Sequence, residues 1–373
     1  AALASLREAL GFRETVAAEH PDSTLYREWT ATVHTHIGDA YDWSRRPTEA
    51  LASYRRGLEI WEAVAGADPR NARAKRELAV AYDRVAMTEY ALEQKDSALT
   101  KLRKAMEIRE RLVAFDPSNA TWCGELAASL GEVAHVQSQA DEVEAAVENA
   151  RQAVEIWEAL VKADPASADV RASLAVSYRD LGDYLKLAGK ADEAVVQYCR
   201  TIDTREALVR TDPENVDFRV NLTGEYDRLG DLLMADGKLE DSARSFRKAL
   251  ALAEALAEAQ PDQPERLRNL AVAYYKVGYC DLRLAEPEER PKEERLDLLS
   301  EAKRELRKSG QAFKNLWEAR LLAENEQEVV EEIEKEVGRC DAMTANLKEG
   351  RPATAPADEE DQDDNQDADD DEA

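Results

Sequence analysis

A proline recurs at an interval of 48 residues along most of the chain. The recurring prolines are Pro21, Pro69, Pro117, Pro165, Pro213 and Pro261. Aspartate precedes four of them, at Asp68, Asp116, Asp164 and Asp212. A fixed period of this size is typical of stacked supersecondary units, because each unit must present the same faces to its neighbours. The sequence therefore predicts a repeat array instead of two or three separate globular domains.

The unit between Asp164 and Asp212 contains two stripes of apolar residues at three- and four-residue spacing, which is typical of amphipathic helices. The stripes are Leu174, Ala175, Tyr178, Leu181, Gly182 and Leu185, and then Ala194, Val195, Tyr198, Ile202 and Leu208. Proline cannot continue a preceding helix but can begin the next, so each unit is predicted to be two antiparallel helices. We expect Asp164 and Asp212 to cap the helices that follow them. Since only 6% of the residues are aromatic, composition also favours close-packed helices.

The residues that return at each period are those that two stacked helices need. They are Leu78, Leu126, Leu174, Leu222 and Leu270; Tyr82, Tyr178, Tyr226 and Tyr274; Gly38, Gly182, Gly230 and Gly278, with Ala86 and Ala134 as substitutes; and Ala50, Ala98, Ala146 and Ala194. A glycine in mid-helix costs about 1 kcal/mol relative to alanine, so its return indicates a close helix crossing.

The pattern A-x-x-Y-x-x-L-G-x-x-L-x-x-x-G-x-x-x-x-A-x-x-x-Y, from Ala175 to Tyr198, resembles the tetratricopeptide repeat (TPR) signature. The family repeat has 34 residues, whereas this one has 48 and resembles the long variants of bacterial multidomain proteins, including arrays behind serine/threonine kinase domains. This resemblance implies an all-α, right-handed α-solenoid, a TPR-like superhelix, over residues 1–285. Leu3, Leu10 and Pro21 match Leu51, Leu58 and Pro69, so the array is expected to open inside the second helix of a unit.

The period stops near residue 285, and two further helical stretches follow. Their apolar stripes are Leu296, Leu299, Leu306, Phe313 and Trp317, and then Val330, Ile333, Val337 and Leu347. We expect residues 286–348 to form a helical cap over the end of the array, the alternative being an independent coiled-coil contact. Residues 349–373 are predicted to be a disordered acidic tail, since they contain no large apolar residue. Such a tail is expected to aid solubility or to compete with acidic targets for a basic partner.

In TPR arrays the first helices of successive units line an inner groove, and ligand-facing positions lie beside the packing tyrosine and after the glycine. The resemblance transfers these positions to Asp39, Asp83, Arg179, Asp183, Asp227 and Asp231. The groove is therefore expected to be predominantly acidic and to suit a basic or mixed-charge segment. The alternative is that these charges are solvated and have partners within the helices. Aspartates here argue against a site for a C-terminal carboxylate, which they would repel.

The formal net charge of −28 disfavours nucleic acid and anionic membrane as partners. The spacing of Cys123, Cys199, Cys280 and Cys340 suggests neither a zinc site nor a disulfide framework, so reduced thiols and a cytoplasmic location are expected. Residues 361–372 match a calcium loop in part, but Gln366 replaces the glycine and acidic tails produce such matches by chance. His34 and His36 lie two apart and would not share a helix face. No metal site or cofactor is predicted.

No motif for catalysis is found, and no pair of carboxylates is isolated in an apolar pocket. The sequence therefore predicts a non-catalytic scaffold for protein–protein interaction, which binds a basic peptide or protein segment. The alternative is that the chain is the regulatory or substrate-docking region of a larger bacterial signalling enzyme, such as a serine/threonine kinase. The sequence makes no prediction of the oligomeric state.

Overall fold

The computed structural model describes residues 2–20, 23–322 and 327–352. Over these ranges the chain forms α-helices joined by short turns, and they contain no strand. The helices are α1 (Ala2–Glu19), α2 (Thr24–Trp43), α3 (Pro47–Ala67), α4 (Ala72–Ala91), α5 (Lys95–Phe115), α6 (Ala120–Ser138), α7 (Val143–Ala163), α8 (Ala168–Leu187), α9 (Ala191–Thr211), α10 (Val216–Ala235), α11 (Leu239–Ala259), α12 (Pro264–Leu284), α13 (Lys292–Glu318) and α14 (Gln327–Lys348). The predicted all-α class is confirmed.

The helix boundaries follow the spacing of the prolines. The even-numbered helices from α2 to α12 begin at residues 24, 72, 120, 168, 216 and 264, and the odd-numbered helices from α3 to α11 begin at 47, 95, 143, 191 and 239. We call the even-numbered helices the first helices and the odd-numbered ones the second helices of the repeats. Consecutive helices pack against each other from α1 to α8 and again from α10 to α14. Since the turns between them are short, neighbours run antiparallel, as expected for stacked helix pairs.

The expectation that Asp164 and Asp212 cap the following helices is wrong. The N-cap is three residues further on, where the Ser167 hydroxyl accepts from Val170 N and Asn215 Oδ1 accepts from Phe218 N, at 3.3 and 3.1 Å. Asp164 instead ends the preceding helix and accepts a hydrogen bond from Ala166 N. The Asp-Pro pair builds a turn because proline presets the second turn position and the aspartate side chain bonds the backbone two residues on.

The turn between the two helices of each repeat passes through a residue with positive φ. These residues are Arg45, Glu93, Asp141, Gly189 and Gly237, with φ between 54° and 73°. In each case the next residue donates its N–H to a carbonyl five residues back, as Lys190 N does to Leu185 O at 2.8 Å. This is the hydrogen-bond pattern that ends a helix through a left-handed residue. The break at Gly189 is therefore one of a series, and the series does not require glycine.

The predicted close-approach residues lie in the core. The recurring alanines Ala50, Ala98, Ala146 and Ala194 have no solvent-accessible surface. Gly38, Gly182 and Gly230 each lie against an aromatic ring on the next helix. These contacts allow the two helices of a repeat to approach closely, so most stability comes from the buried seam between them.

The chain divides into two compact units, which we call unit 1 (up to Thr204) and unit 2 (from Arg205). Unit 1 contains α1 to α8 and most of α9. In unit 2, α13 packs on α12 and α14 packs on α13, and Leu299, Leu306 and Ile333 are buried in the shared core. Part of the predicted acidic tail, 353–373, and with it the partial calcium loop, lies outside the described residues. The domain boundaries at 285 and 348 stay predictions.

Candidate protein-binding face

The first helices of unit 1 lie side by side and present one common side. We call this the first-helix face, the side of α2, α4, α6 and α8 that carries Asp39, Arg84, Glu132 and Asp183. Ion pairs join neighbouring first helices on this side. Arg84 lies 3.5 Å from Asp39 across α4 and α2, and Arg76 Nε donates to Glu125 Oε1 at 2.6 Å across α4 and α6.

Two of the predicted site residues are held by tyrosines. The Tyr54 hydroxyl donates to Asp39 Oδ1 at 2.7 Å, and the Tyr198 hydroxyl donates to Asp183 Oδ1 at 2.6 Å. Each tyrosine belongs to the second helix of the same repeat and passes beneath the glycine that precedes the aspartate. A neutral hydroxyl orients a carboxylate without cancelling its charge. Asp39 and Asp183 are therefore positioned as fixed negative charges on the first-helix face.

Asp83 forms an ion pair with a buried arginine. The Arg109 guanidinium, buried between α4, α5 and α6, donates to Asp83 and to the Ser129 hydroxyl. Burial raises the pKa of Asp83, and Arg109 opposes this rise by favouring the ionised form. Asp83 Oδ1 is buried and accepts no hydrogen bond. The main role of this carboxylate is to neutralise Arg109.

Arg179 pairs with its neighbour in sequence. Its Nη2 donates to Asp180 Oδ1 at 2.7 Å, and both side chains are about one third exposed. The pair forms the α8 part of the first-helix face together with Asp183. The face is thus locally mixed in charge at α8.

In unit 2 the corresponding side chains come from α10 and α12. Lys276 Nζ lies 2.9 Å from Asp231 Oδ2 and 3.9 Å from Asp227 Oδ1, above the Phe246 ring. Burial raises the pKa of Asp227 to about 6, although Lys276 opposes the rise. Both predicted aspartates therefore share one lysine, which the sequence-based transfer did not include.

Glu132 on α6 was missed by sequence reasoning. It occupies the same repeat position as Arg84, 48 residues earlier, and its Oε2 is buried and accepts no hydrogen bond. Burial is the main cause that raises the pKa of Glu132 to about 7, and the nearby Asp83 charge adds to it. Glu132 lies two residues before the glycine-equivalent Ala134, a repeat position that was not among those transferred, so the period alone could have indicated it.

Apolar and aromatic side chains lie one turn further along the same helices. Trp43 on α2 is 90% exposed, and Met87 on α4 is 39% exposed. Tyr90 on α4 meets His135 on α6 edge-on, with 5.5 Å between ring centroids. Leu187 on α8, which is 61% exposed, occupies the same repeat position as Trp43. Single exposed apolar side chains are common on protein surfaces, but a group of them on one face is typical of an interaction surface.

Two segments of unit 1 match a known repeat family in sequence. Residues 30–71 and 78–117 match the tetratricopeptide repeat model. The two matches begin 48 residues apart, and each covers a first helix with its second helix. The two matched segments are therefore tetratricopeptide repeats.

Solved TPR-like structures share the fold at low sequence identity. BtubC (BKLC) from P. vanneervenii has a TM-score of 0.51 and 16% identity, covering 71% of this chain and 90% of that chain. A signal transduction ATPase with numerous domains (STAND), PH0952 from Pyrococcus horikoshii, has a tetratricopeptide repeat sensor. It has a TM-score of 0.50 and 15% identity, covering 79% of this chain and 38% of that chain. No curated protein shows significant sequence similarity to this chain.

The tetratricopeptide array is a helical-repeat scaffold suited to protein interaction. In the described residues, no helix is both long and apolar enough to cross a bilayer. Nor does this part of the chain place three metal-ligating side chains together.

The packing tyrosines of these repeats also make a polar contact that sequence reasoning missed. Each hydroxyl donates to a glutamate 20 residues earlier, on the preceding second helix. The pairs are Tyr82 with Glu62, Tyr178 with Glu158, Tyr226 with Glu206 and Tyr274 with Glu254. A cation from the next second helix lies over each of the first three rings: Lys104, Arg200 and Lys248. A signal was present, since glutamate stands at residues 14, 62, 110, 158, 206 and 254.

This contact joins three consecutive helices through one side chain. The ring fills the seam, the hydroxyl bonds one second helix and the cation of the other second helix covers the ring. The tyrosines therefore determine how successive repeats register against each other. They do not form part of the first-helix face.

Proposed function

We propose that the chain is a non-catalytic scaffold that binds a basic protein or peptide segment on the first-helix sides of its repeats. The proposed contact residues are Asp39, Asp83, Arg179, Asp183, Asp227 and Asp231. The observation that carries the proposal is that Asp39 and Asp183 are oriented by neutral tyrosine hydroxyls. Their negative charge is fixed in place before any partner arrives, which lowers the entropic cost of binding a cation.

The six residues have different parts in this proposal. Asp39, Asp183 and Asp231 present charge towards a partner, because none of them is fully buried. Asp83 acts mainly by holding Arg109 and so keeps α4, α5 and α6 in register. Arg179 adds positive charge, which favours a partner of mixed charge over a purely basic one.

Charge-neutral variants test this function. The full chain, immobilised, should capture basic proteins and release them when about 300 mM salt is added, since salt screens exposed charge pairs. The double variant Asp39→Asn with Asp183→Asn should lose capture. The matched control is Glu148→Gln with Asp203→Asn, which makes the same charge change on exposed second-helix positions of the same unit. Captured proteins that are acidic, or capture that is indifferent to salt, would contradict the proposal.

A second candidate is that the array is the sensor or docking region of a larger signalling enzyme. It is supported by PH0952, which is a signal transduction ATPase with a tetratricopeptide repeat sensor. A serine/threonine kinase is the alternative enzyme class for this arrangement. The coding sequence upstream of Ala1 tests it: an open frame that encodes a catalytic domain supports the idea, and a stop codon directly upstream contradicts it.

A further inference from the structure

Glu132 differs from the other carboxylates of the first-helix face in unit 1. Asp83 has Arg109 as its partner, Glu125 has Arg76, and Asp39 has both Tyr54 and Arg84. Each of these carboxylates therefore has a donor or a cation on at least one oxygen. Among the described residues, neither oxygen of Glu132 has such a partner, and its Oε2 is buried. A buried carboxylate oxygen without a donor is costly, so such a group in a native fold calls for an explanation.

The charged groups around Glu132 do not provide the missing donor. Asp83 and Arg84 face it from α4, and Arg109 faces it from α5. Arg109 donates to Asp83 and Ser129, while Arg84 lies beside Asp39. The nearest cations are therefore engaged with other groups, and the field of Asp83 opposes ionisation of Glu132. A cation brought from outside the chain would remove this imbalance.

The apolar side chains of the face lie next to this position. His135 follows Glu132 by one turn on α6 and meets Tyr90 of α4. Met87 follows Arg84 by one turn on α4 and is partly exposed. Trp43 follows Asp39 by one turn on α2, at the edge of the same surface, and its side chain is almost wholly exposed. A cation site is thus bordered on one side by an aromatic and thioether surface.

We propose that the first-helix face of unit 1 recognises a protein segment in which a lysine or arginine lies within one turn of a large apolar side chain. The cation pairs with Glu132, and the apolar group packs on Met87, Tyr90 and His135 with Trp43 closing the edge. This inference rests on the proposed function and specifies the partner's chemistry. Unbranched thioether and aromatic side chains suit such packing because they adapt to different apolar groups.

The bound cation pairs with the ionised form of Glu132. A chain in which Glu132 is protonated must therefore release that proton on binding. Because the pKa of Glu132 is about 7, most of the side chain is protonated at about pH 6 and ionised at about pH 8. The linkage of one proton to binding predicts that affinity rises about tenfold over this interval. A basic side chain of the segment keeps its charge throughout, whereas His135 in the same surface is a second group that can change charge over this interval. The variant Glu132→Gln separates the two contributions.

The probe is a displayed library of random segments of about twelve residues, selected on the full chain at about pH 8. Selected segments are expected to carry a basic residue three or four positions from a large apolar one. Their affinity should fall about tenfold at about pH 6. The variant Glu132→Gln should lose this pH dependence, and Trp43→Ser should weaken binding at both pH values. Glu148→Gln, on a second helix of the same unit, is the matched control.

Each outcome decides the matter. Segments that bind Glu132→Gln and Trp43→Ser as tightly as the original chain, or that lack basic residues, overturn this inference. If the double variant Asp39→Asn with Asp183→Asn nevertheless fails to bind such segments, the proposed function stands without this further inference. A library that yields no binding segment contradicts both. Circular dichroism of each variant at both pH values excludes unfolding as the cause of any loss.

Discussion

Gly182 on α8 lies so close to the Tyr198 ring on α9 that a Cβ atom at Gly182 would stand 2.7 Å from Tyr198 Cε1. The same relationship joins Gly38 to Tyr54 and Gly230 to Phe246. Where the second helix carries a smaller residue, the first helix carries alanine. These pairs are Ala86 with Leu102 and Ala134 with Ala150, at matching repeat positions. In these five pairs, glycine faces an aromatic ring and alanine occupies the position opposite a smaller side chain.

Gly182→Ala is expected to destabilise unit 1 by about 1–3 kcal/mol, because the added methyl group overpacks the seam against a ring that is itself hydrogen-bonded to Asp183. Gly131→Ala on α6 is the control, since a Cβ there meets nothing within 4 Å. That variant should stabilise by about 1 kcal/mol through helix propensity alone. Urea unfolding of both variants measures the difference, and equal effects would contradict the steric explanation.

The left-handed turn residues offer a second test. Arg45→Gly and Glu93→Gly should each stabilise the protein by about 0.5–1 kcal/mol, because both residues have positive φ, which glycine adopts without strain. Asp141→Gly should gain less, since aspartate tolerates this conformation better. Gly189→Ala reverses the change and should destabilise. Thermal unfolding gives the ranking, and a loss of stability in Arg45→Gly would show that the turn is held by its side chain.

A third test concerns the buried pair of Arg205 and Glu225. Arg205 Nε lies 3.0 Å from Glu225 Oε1, and both side chains are 4% exposed. Three repeats earlier, the same positions hold Trp61 and Ala81. Either Arg205→Met or Glu225→Ala alone should cost about 3–5 kcal/mol, since each leaves a buried charge without its partner.

The double variant Arg205→Trp with Glu225→Ala should recover most of this loss, because it reproduces the apolar pair of the earlier repeat. A double-mutant cycle in guanidinium unfolding, with Arg205→Trp and Glu225→Ala as its single variants, gives the coupling. Additive losses would mean that the two repeats differ in backbone and that their residues are not interchangeable.

Two acidic residues at one repeat position predict opposite pH dependence. Glu89 has no exposed surface and lies between Arg55 and Lys101, whose hydrogen bonds lower the pKa of Glu89 despite its burial. Asp281 is four repeats later and has one cation, Arg247; burial raises the pKa of Asp281 from 3.8 to about 6. The folded state therefore favours the ionised form of Glu89 and the protonated form of Asp281.

The contribution of Glu89 to stability is present above about pH 4.5 and is lost as the pH falls through its lowered folded value. Asp281 acts in the opposite sense: its contribution is present below about pH 4 and is lost as the pH rises through about 6. Glu89→Gln should therefore lower the melting temperature most at neutral pH. Asp281→Asn should reduce the fall in stability between about pH 4 and about pH 6, and an unchanged slope there would contradict the assignment.

The packing residues could be predicted from the sequence, whereas the polar contacts could not. Gly182 was recognised as a packing residue from its recurrence and Tyr198 from the apolar stripe of its helix, because helical periodicity places both in the seam. The capping role of Asp164 was assigned wrongly, since Asp-Pro and the following Ser167 both offer a cap and only the turn geometry separates them. The partner of Asp83 could not be predicted, because Arg109 lies on the next helix and reaches two first helices at once.

The period and its helical stripes determined the architecture by themselves: an all-α array of paired helices with the recurring prolines in its turns. They could do so because each unit of a repeat array packs only against its neighbours, so the same short-range sequence pattern recurs in every unit. Only the tertiary structure decided which charges are neutralised, which side chains are left exposed, and that the Oε2 atom of Glu132 is buried without a donor. Those properties depend on side chains that lie tens of residues apart in the chain, and the energy of a charge depends on all the groups that surround it.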